Sequence, residues 1–364
     1  MTRTTVALAH DYLTQRGGAE RALLALGRAF PEAPLHTTVH EPSTTYAEFS
    51  EHELYTTPLQ RVGPLRRNPR LALPILAPVV DRHHIEADVT ICQSTGWSHG
   101  MPVSGVKIVY AHNTARWLYQ RDEYLANLPR VYRWGVAPFS PPLRRWDRRA
   151  AATADLVFAG SGVARERIRT HWGRDAEVIY PPPGLSADGE QRPLAGLEPG
   201  FVLTVARLLP YKRVDVVIDA VRSLGNTQLV VVGEGPDADR LAARAPDVTR
   251  FYPSVTDAEL RWLYANAQAL VTASQEDFGL TPLEAMGFGT PVVVIAAGGF
   301  LETVEPDVSG IFFDAPDPAE LRVALERAAV HDWDRDAMRA RAEKFSEASF
   351  IERFRGIVDE VGDG

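Results

Sequence analysis

Ala269-Leu270-Val271-Thr272-Ala273-Ser274-Gln275-Glu276-Asp277-Phe278-Gly279-Leu280-Thr281-Pro282-Leu283-Glu284 runs from an apolar segment through a turn into a helix-forming segment. The spacing predicts a strand over Ala269 to Ala273 and a helix from Pro282 to Phe288. Ligands of open parallel sheets bind at the carboxyl ends of the strands, which is where Glu276 stands. Backbone N–H groups of Phe278, Gly279 and Leu280 precede the helix, where unsatisfied donors and the dipole favour an anion. An acid for a sugar, an amide cluster for phosphate and a second acid, Glu284, for a ribose together suit a nucleotide-sugar. A plainer reading competes. Thr281-x-x-Glu284 is also a capping box with Pro282 at the first helical position, which makes Glu284 helix punctuation.

The same alternation extends along the whole chain. Apolar runs at Val6 to Ala9, Val89 to Cys92, Lys107 to Tyr110, Leu156 to Ala159 and Glu177 to Tyr180 are interleaved with helical patterns, the first from Gly18 to Phe30. Pro181-Pro182-Pro183-Gly184 and the polar residues to Gly200 read as a linker, after which the rhythm restarts at Phe201. This βαβ pattern predicts an α/β protein of two Rossmann-like, doubly wound domains facing across a cleft. The expected bounds are 1–185 and 186–345, with a final helical segment over 346–364.

A chain of 364 residues exceeds what one core usually organises. Its longest apolar candidate for a membrane span, Leu71 to Val80, is short and interrupted by Pro74 and Pro78. Met1 to His10 turns polar too soon for a signal peptide, and Cys92 is the sole cysteine, so a reducing, cytoplasmic setting is expected. Residues 1 to 185 carry 22 Lys and Arg against 17 Asp and Glu, and the remainder carries 17 against 30. The net charge of −8 argues against a nucleic-acid binder. The arginine clusters Arg61, Arg66, Arg67, Arg70 and Arg144, Arg145, Arg148, Arg149 mark either solvated helix faces or contact with an anionic membrane.

Other candidates fall at strand ends. Gly17 and Gly18 open the first helix, where backbone can approach a phosphate closely or simply turn tightly. No G-x-G-x-x-G dinucleotide pattern is present, which argues against a nicotinamide enzyme. Arg207 and Lys212 follow the Phe201 to Val205 strand, placed to bracket a diphosphate or to serve as surface cations. Gly233 turns the chain after the next strand, Val255 follows a third where its backbone can read a base, and Gly298-Gly299 precede another helix. His112 ends the Lys107 to Tyr110 strand, with Ser94 and Thr95 ending the one before. A lone cysteine and scattered histidines give no metal-ligand spacing, so neither metal nor cofactor is expected.

Taken together, Gly17-Gly18-Ala19-Glu20, His112, Arg207 with Lys212 and the Glu276 to Glu284 segment resemble the family 4 retaining glycosyltransferases, whose fold is the GT-B type. Ala206 to Asp215 and Glu276 to Met286 are most similar to the bacterial polysaccharide branch that includes O-antigen mannosyltransferases. Arg145-Trp146-Asp147-Arg148 and Val178-Ile179-Tyr180-Pro181-Pro182 support it. The resemblance implies that Gly18 approaches the donor diphosphate and that Arg207 and Lys212 hold it. It implies further that Glu276 binds the sugar hydroxyls, Glu284 the ribose and Val255 the base, with His112 beside the anomeric centre. It implies a metal-independent hexosyltransferase using mannose from GDP-mannose, or a hexose from a UDP-sugar, and a glycan or lipid-linked acceptor. A nucleotide-sugar epimerase, a phosphorylase and a non-catalytic nucleotide-sugar-binding protein stand as alternatives. Asn113-Thr114-Ala115 after His112, and Pro183-Gly184 after the double proline, depart from the branch's pattern.

Overall fold

The structure, a computed structural model, describes residues 4–120, 137–225 and 227–362, without the side chains of residues 70, 74 and 137. Two compact units are present: Met1–Pro182 together with Glu347–Gly364, and Pro183–Ser346.

In the first unit, β1 (Val6–His10), β2 (Leu35–Thr37), β3 (Leu54–Thr56), β4 (Val89–Ser94), β5 (Val106–Ala111), β6 (Leu156–Ala159) and β7 (Glu177–Val178) form one sheet. Its order is β3-β2-β1-β4-β5-β6-β7, with every described pairing parallel. Strand order reverses between β1 and β4, the kind of position at which open parallel sheets bind ligands, and Asp11 after β1 ties the loop after β4 to it there. β7 ends before the predicted Tyr180, because Pro181, Pro182 and Pro183 cannot donate to a ladder. Helix Gly18–Ala29 buries Ala22, Leu23, Ala25, Leu26 and Ala29, the 3.6-residue stripe that its sequence carries. The last helix, Glu347–Gly362, belongs to this unit and packs Phe350, Phe354, Ile357 and Val358 with Tyr110 and Phe158 in one core.

The second unit carries β8 (Val202–Val205), β9 (Leu229–Val232), β10 (Thr249–Tyr252), β11 (Ala269–Thr272), β12 (Val292–Ile295) and β13 (Gly310–Phe313). The order β10-β9-β8-β11-β12-β13 is again parallel throughout the described pairs and reverses between β8 and β11. All four residues of β9 and of β12 are buried, as strands covered on both faces require, which is why they read as continuous Val and Ile or Leu rather than alternating. The loops bearing Arg207, Lys212 and Glu276 therefore flank the switch point of this sheet.

Candidate functional site

At the second unit's switch point, the loop after β8 and the loop after β11 meet. Lys212 Nζ contacts Glu276 Oε1 at 2.5 Å, and Ser274 Oγ donates to the same oxygen at 2.6 Å. Both members of the ion pair are largely withdrawn from water, with side chains 15% and 26% exposed, so neither charge is fully screened. Arg213 adopts a left-handed conformation (φ 53°) directly after Lys212, re-aiming the chain into helix Val214–Arg222. The Arg207 side chain is exposed and has no hydrogen bond or ion pair among the described residues, which leaves its five donors for an incoming anion.

Glu284 is not helix punctuation. The helix spans Leu280–Gly287, two residues earlier than the spacing predicted, and its N-cap is Gly279 (φ 99°), which makes no side-chain cap. Pro282 thus sits inside the first turn, where a missing N–H costs nothing. Freed from capping, Glu284 is buried and accepts from Tyr264 Oη at 2.7 Å and from the Gly184 N–H at 3.0 Å. Gly279 must be glycine twice over: its φ is positive, and a Cβ would stand 2.5 Å from the Phe300 ring. The Gly298-Gly299 turn closes on the same loop, with Gly299 N–H donating to Glu276 O at 2.9 Å.

The remaining expected donor residues lie on the same sheet edge. Gly233 (φ 135°) follows β9, where a Cβ would run into the Ala206 carbonyl, so this glycine lets the β9 turn pack against the Arg207 loop. Val255 is half-buried just past β10. Phe278 is buried, and Leu280 starts the helix whose first-turn N–H groups have no partner within the helix.

In the first unit, Gly17 is the N-cap of helix Gly18–Ala29, and its lack of a Cβ has a packing cause: one there would stand 2.7 Å from Glu20 Oε2. Glu20 is buried, takes a hydrogen bond from Gln15 Nε2 at 3.0 Å and lies 3.8 Å from His10 Nε2. Burial lowers the His10 pKa, but Glu20 and Asp11 outweigh it and the net shift is upward. His112, two strands over, behaves oppositely: burial and then the nearby His10 push its pKa down to about 3, so the ring is neutral. Gln93 Nε2 donates both to Ala19 O at 2.7 Å and to His112 Nε2 at 2.6 Å. With Nε2 an acceptor, the His112 hydrogen resides on Nδ1.

Several of these partners were not singled out from sequence. Asp11 is fully buried and accepts from the N–H groups of Thr95 (2.8 Å), Trp97 (3.1 Å) and Ser98 (2.6 Å), clamping the loop after β4. Ser94 Oγ lies 3.0 Å from His99 Nδ1, and His99 Nε2 lies 3.1 Å from Asp147 Oδ1, all three without solvent exposure. Asp147 Oδ2 accepts from Tyr119 Oη at 2.8 Å and Trp172 Nε1 at 2.6 Å, so this chain is a buried brace, not an open nucleophile. No local signal joins His99 to Asp147, since they are 48 positions apart. Ser274, two residues before Glu276 and on the same side of the chain, was the more legible omission. Of the second arginine cluster, Arg144 donates to Leu118 O, Arg148 to His171 O and Arg149 to Asp81, so the fold itself employs that charge. No three His, Cys, Asp or Glu side chains converge as a metal site among the described residues.

Residues 16–185 match the family model for Glycosyltransferase Family 4, and residues 190–345 match that for Glycosyl transferases group 1. Among curated proteins, the chain is 30% identical over 225 residues to a D-inositol 3-phosphate glycosyltransferase of Actinosynnema mirum, covering 54% of each chain. It is 34% identical over 234 residues to D-inositol 3-phosphate glycosyltransferase 1 of Catenulispora acidiphila, covering 57% of this chain and 54% of that one. The chain thus spans about half the length of the curated relatives it matches. Among solved structures, a sucrose-phosphate synthase from Thermosynechococcus elongatus superposes with a TM-score of 0.76 at 19% identity, covering 99% of this chain and 100% of that chain. The Anabaena protein Alr3699/HepE, in complex with UDP and glucose, superposes with a TM-score of 0.70 at 18% identity, over 98% of this chain and 100% of that chain. The two parallel-sheet units are those of the GT-B fold.

Proposed function

We propose, from the premise that this chain is a glycosyltransferase of the family 4 type, that it moves a hexose from a nucleoside-diphosphate sugar to a glycan or lipid-linked acceptor in bacterial envelope polysaccharide synthesis. Mannose from GDP-mannose is the first reading of the donor and a hexose from a UDP-sugar the second. The observation that carries the proposal is the Lys212–Glu276 contact, with Arg207 unpartnered and Glu284 turned to Tyr264 and Gly184 on the same sheet edge.

A sugar whose hydroxyls bind Glu276 brings its anomeric phosphate within reach of Lys212, because the two side chains already touch. Lys212 and Arg207 then stabilise charge on the departing diphosphate, aided by the amides of Phe278, Gly279 and Leu280. Gly233 keeps the Arg207 loop close to the β9 turn, Val255 offers its backbone to the base, and Glu284 takes the ribose hydroxyls. His112, neutral and with its hydrogen on Nδ1, can donate a hydrogen bond to a sugar hydroxyl without adding charge. Asp11, whose charge acts on His112, is engaged in the loop clamp, and Glu20 is engaged with Gln15. We therefore assign front-face departure and attack with retention, the leaving diphosphate helping to deprotonate the acceptor. Positive side chains and amide donors replace a divalent ion in this scheme, so EDTA should leave turnover within about twofold of its value.

Thermal stabilisation by GDP, UDP and their hexose conjugates tests the reading. A ligand at 100 times its dissociation constant adds roughly 2.7 kcal/mol. Stabilisation by one diphosphate and its conjugate, lost in Glu284→Ala, is expected. No shift with any of the four ligands would sink the donor assignment.

A further inference from the structure

Helix Leu73–Val80 and the turn Pro69–Ala72 before it break the rule that a surface helix turns a polar face outward. Leu73, Leu76, Ala77 and Val80 are buried, yet the opposite side presents Leu71, 45% exposed, Ile75, 49% exposed, and Pro78. No charged residue occurs from Leu71 to Val80. The short helix Gly63–Arg67, which abuts this turn, adds Val62 at 45% exposure.

Cations rim the apolar face. The Arg61 and Arg67 side chains are exposed and have no hydrogen bond or ion pair among the described residues. Arg82, at the far end, donates to the Pro78 carbonyl at 2.9 Å, and Arg66 pairs with Glu41 at 2.8 Å. The acid nearest Arg82 in sequence, Asp81, is occupied by Trp146 and Arg149. An apolar stripe edged by unneutralised arginines matches an anionic lipid surface. A second copy of the chain fits less well, because symmetric pairing would oppose these arginines to themselves.

We propose that Val62, Leu71 and Ile75 enter the headgroup boundary of an anionic membrane while Arg61, Arg67 and Arg82 meet lipid phosphates. The face is fastened to the sheet edge that carries His10 and Gly17. Gln60 exchanges hydrogen bonds with the N–H and carbonyl of His40, at 2.8 and 2.9 Å, and His40 bridges to Leu13. Docking by this face brings the loop after β1 toward the bilayer, where a lipid-linked acceptor resides. The lipid contact itself is independent of the donor assignment.

The test uses the full chain and vesicles of phosphatidylcholine with and without about one-third phosphatidylglycerol. Co-sedimentation with the anionic vesicles at low salt, about tenfold weaker on neutral ones and reversed by salt, is expected. Leu71→Gln with Ile75→Gln, and Arg61→Ala with Arg67→Ala, should each reduce partitioning by about tenfold or more while the thermal transition is retained. An environment-sensitive fluorophore on Ile75→Cys should brighten with anionic vesicles, and one on Val323→Cys should not. The native Cys92 does not interfere, being buried with its thiol pushed up to about 11. Absence of co-sedimentation at low salt, indifference to both double variants, or an unchanged signal at Ile75, the outcome expected if the face serves a protein partner, would each overturn the proposal.

Discussion

Lys212 and Glu276 neutralise each other at 2.5 Å, so a donor must be worth more to each than the other is. In the function proposed above, a diphosphate supplies that for the ammonium and sugar hydroxyls for the carboxylate. Lys212→Ala should lower turnover by on the order of 100 to 1,000-fold, the range for loss of one preorganised charge stabiliser. A change below about threefold in single-turnover measurements would remove Lys212 from the mechanism. Glu276, Arg207 and Lys212 were readable as candidates because charged residues just past apolar runs are conspicuous. Their supports were not: Tyr264 reaches Glu284 across 20 positions and Gln93 reaches His112 across 19. Nothing in local spacing encodes such pairs.

The helix Leu280–Gly287 and the loop ahead of it depend on Gly279. Gly279→Ala would force a non-glycine residue to φ 99° and press its Cβ against Phe300, at a cost of order 1–3 kcal/mol. Calorimetry should show a lowered Tm together with weakened nucleotide stabilisation; an unchanged Tm would mean the loop relaxes freely. The boundary of this helix was misjudged from Thr281-Pro282, because a capping box and a glycine-opened first turn share the same residues. Strand β2 makes a separate prediction. Its His36, packed against Tyr55 and 3.1 Å from His83, has its pKa lowered by burial, and then by His83, to about 4 from 6.5. The unfolded chain binds that proton near pH 6.5 while the folded chain resists it until about 4, so stability falls as pH falls through this window. His112 adds to the same slope. His10, shifted upward, contributes in the opposite sense, its stabilisation complete below the unfolded value and lost as pH rises through the folded one. His36→Phe, which keeps a ring on Tyr55, should flatten the decline in Tm between about pH 7 and pH 5.

At the scale of the whole chain, its end is built into the unit that holds its beginning. Helix Glu347–Gly362 places Phe354, with no solvent exposure, in the core beside Tyr110 and Phe158. Phe354→Ala should cost about 3–5 kcal/mol of stability in the first unit. Chemical denaturation should therefore show the first unit failing before Pro183–Ser346, and a single unshifted transition would refute that. Alternating apolar runs and helical stripes sufficed to establish parallel α/β architecture, because burial on both faces of a strand leaves a mark in consecutive residues. Chemistry-bearing residues just past those runs were legible for the same reason, since a parallel sheet delivers every strand's end to one edge. Which of them meet, that Glu284 turns to Tyr264, that Asp11 clamps the loop after β4, and that Leu71 and Ile75 stay uncovered, followed from packing between segments distant in sequence. Such contacts form only when separate elements share a core, and no short-range period in the chain records them.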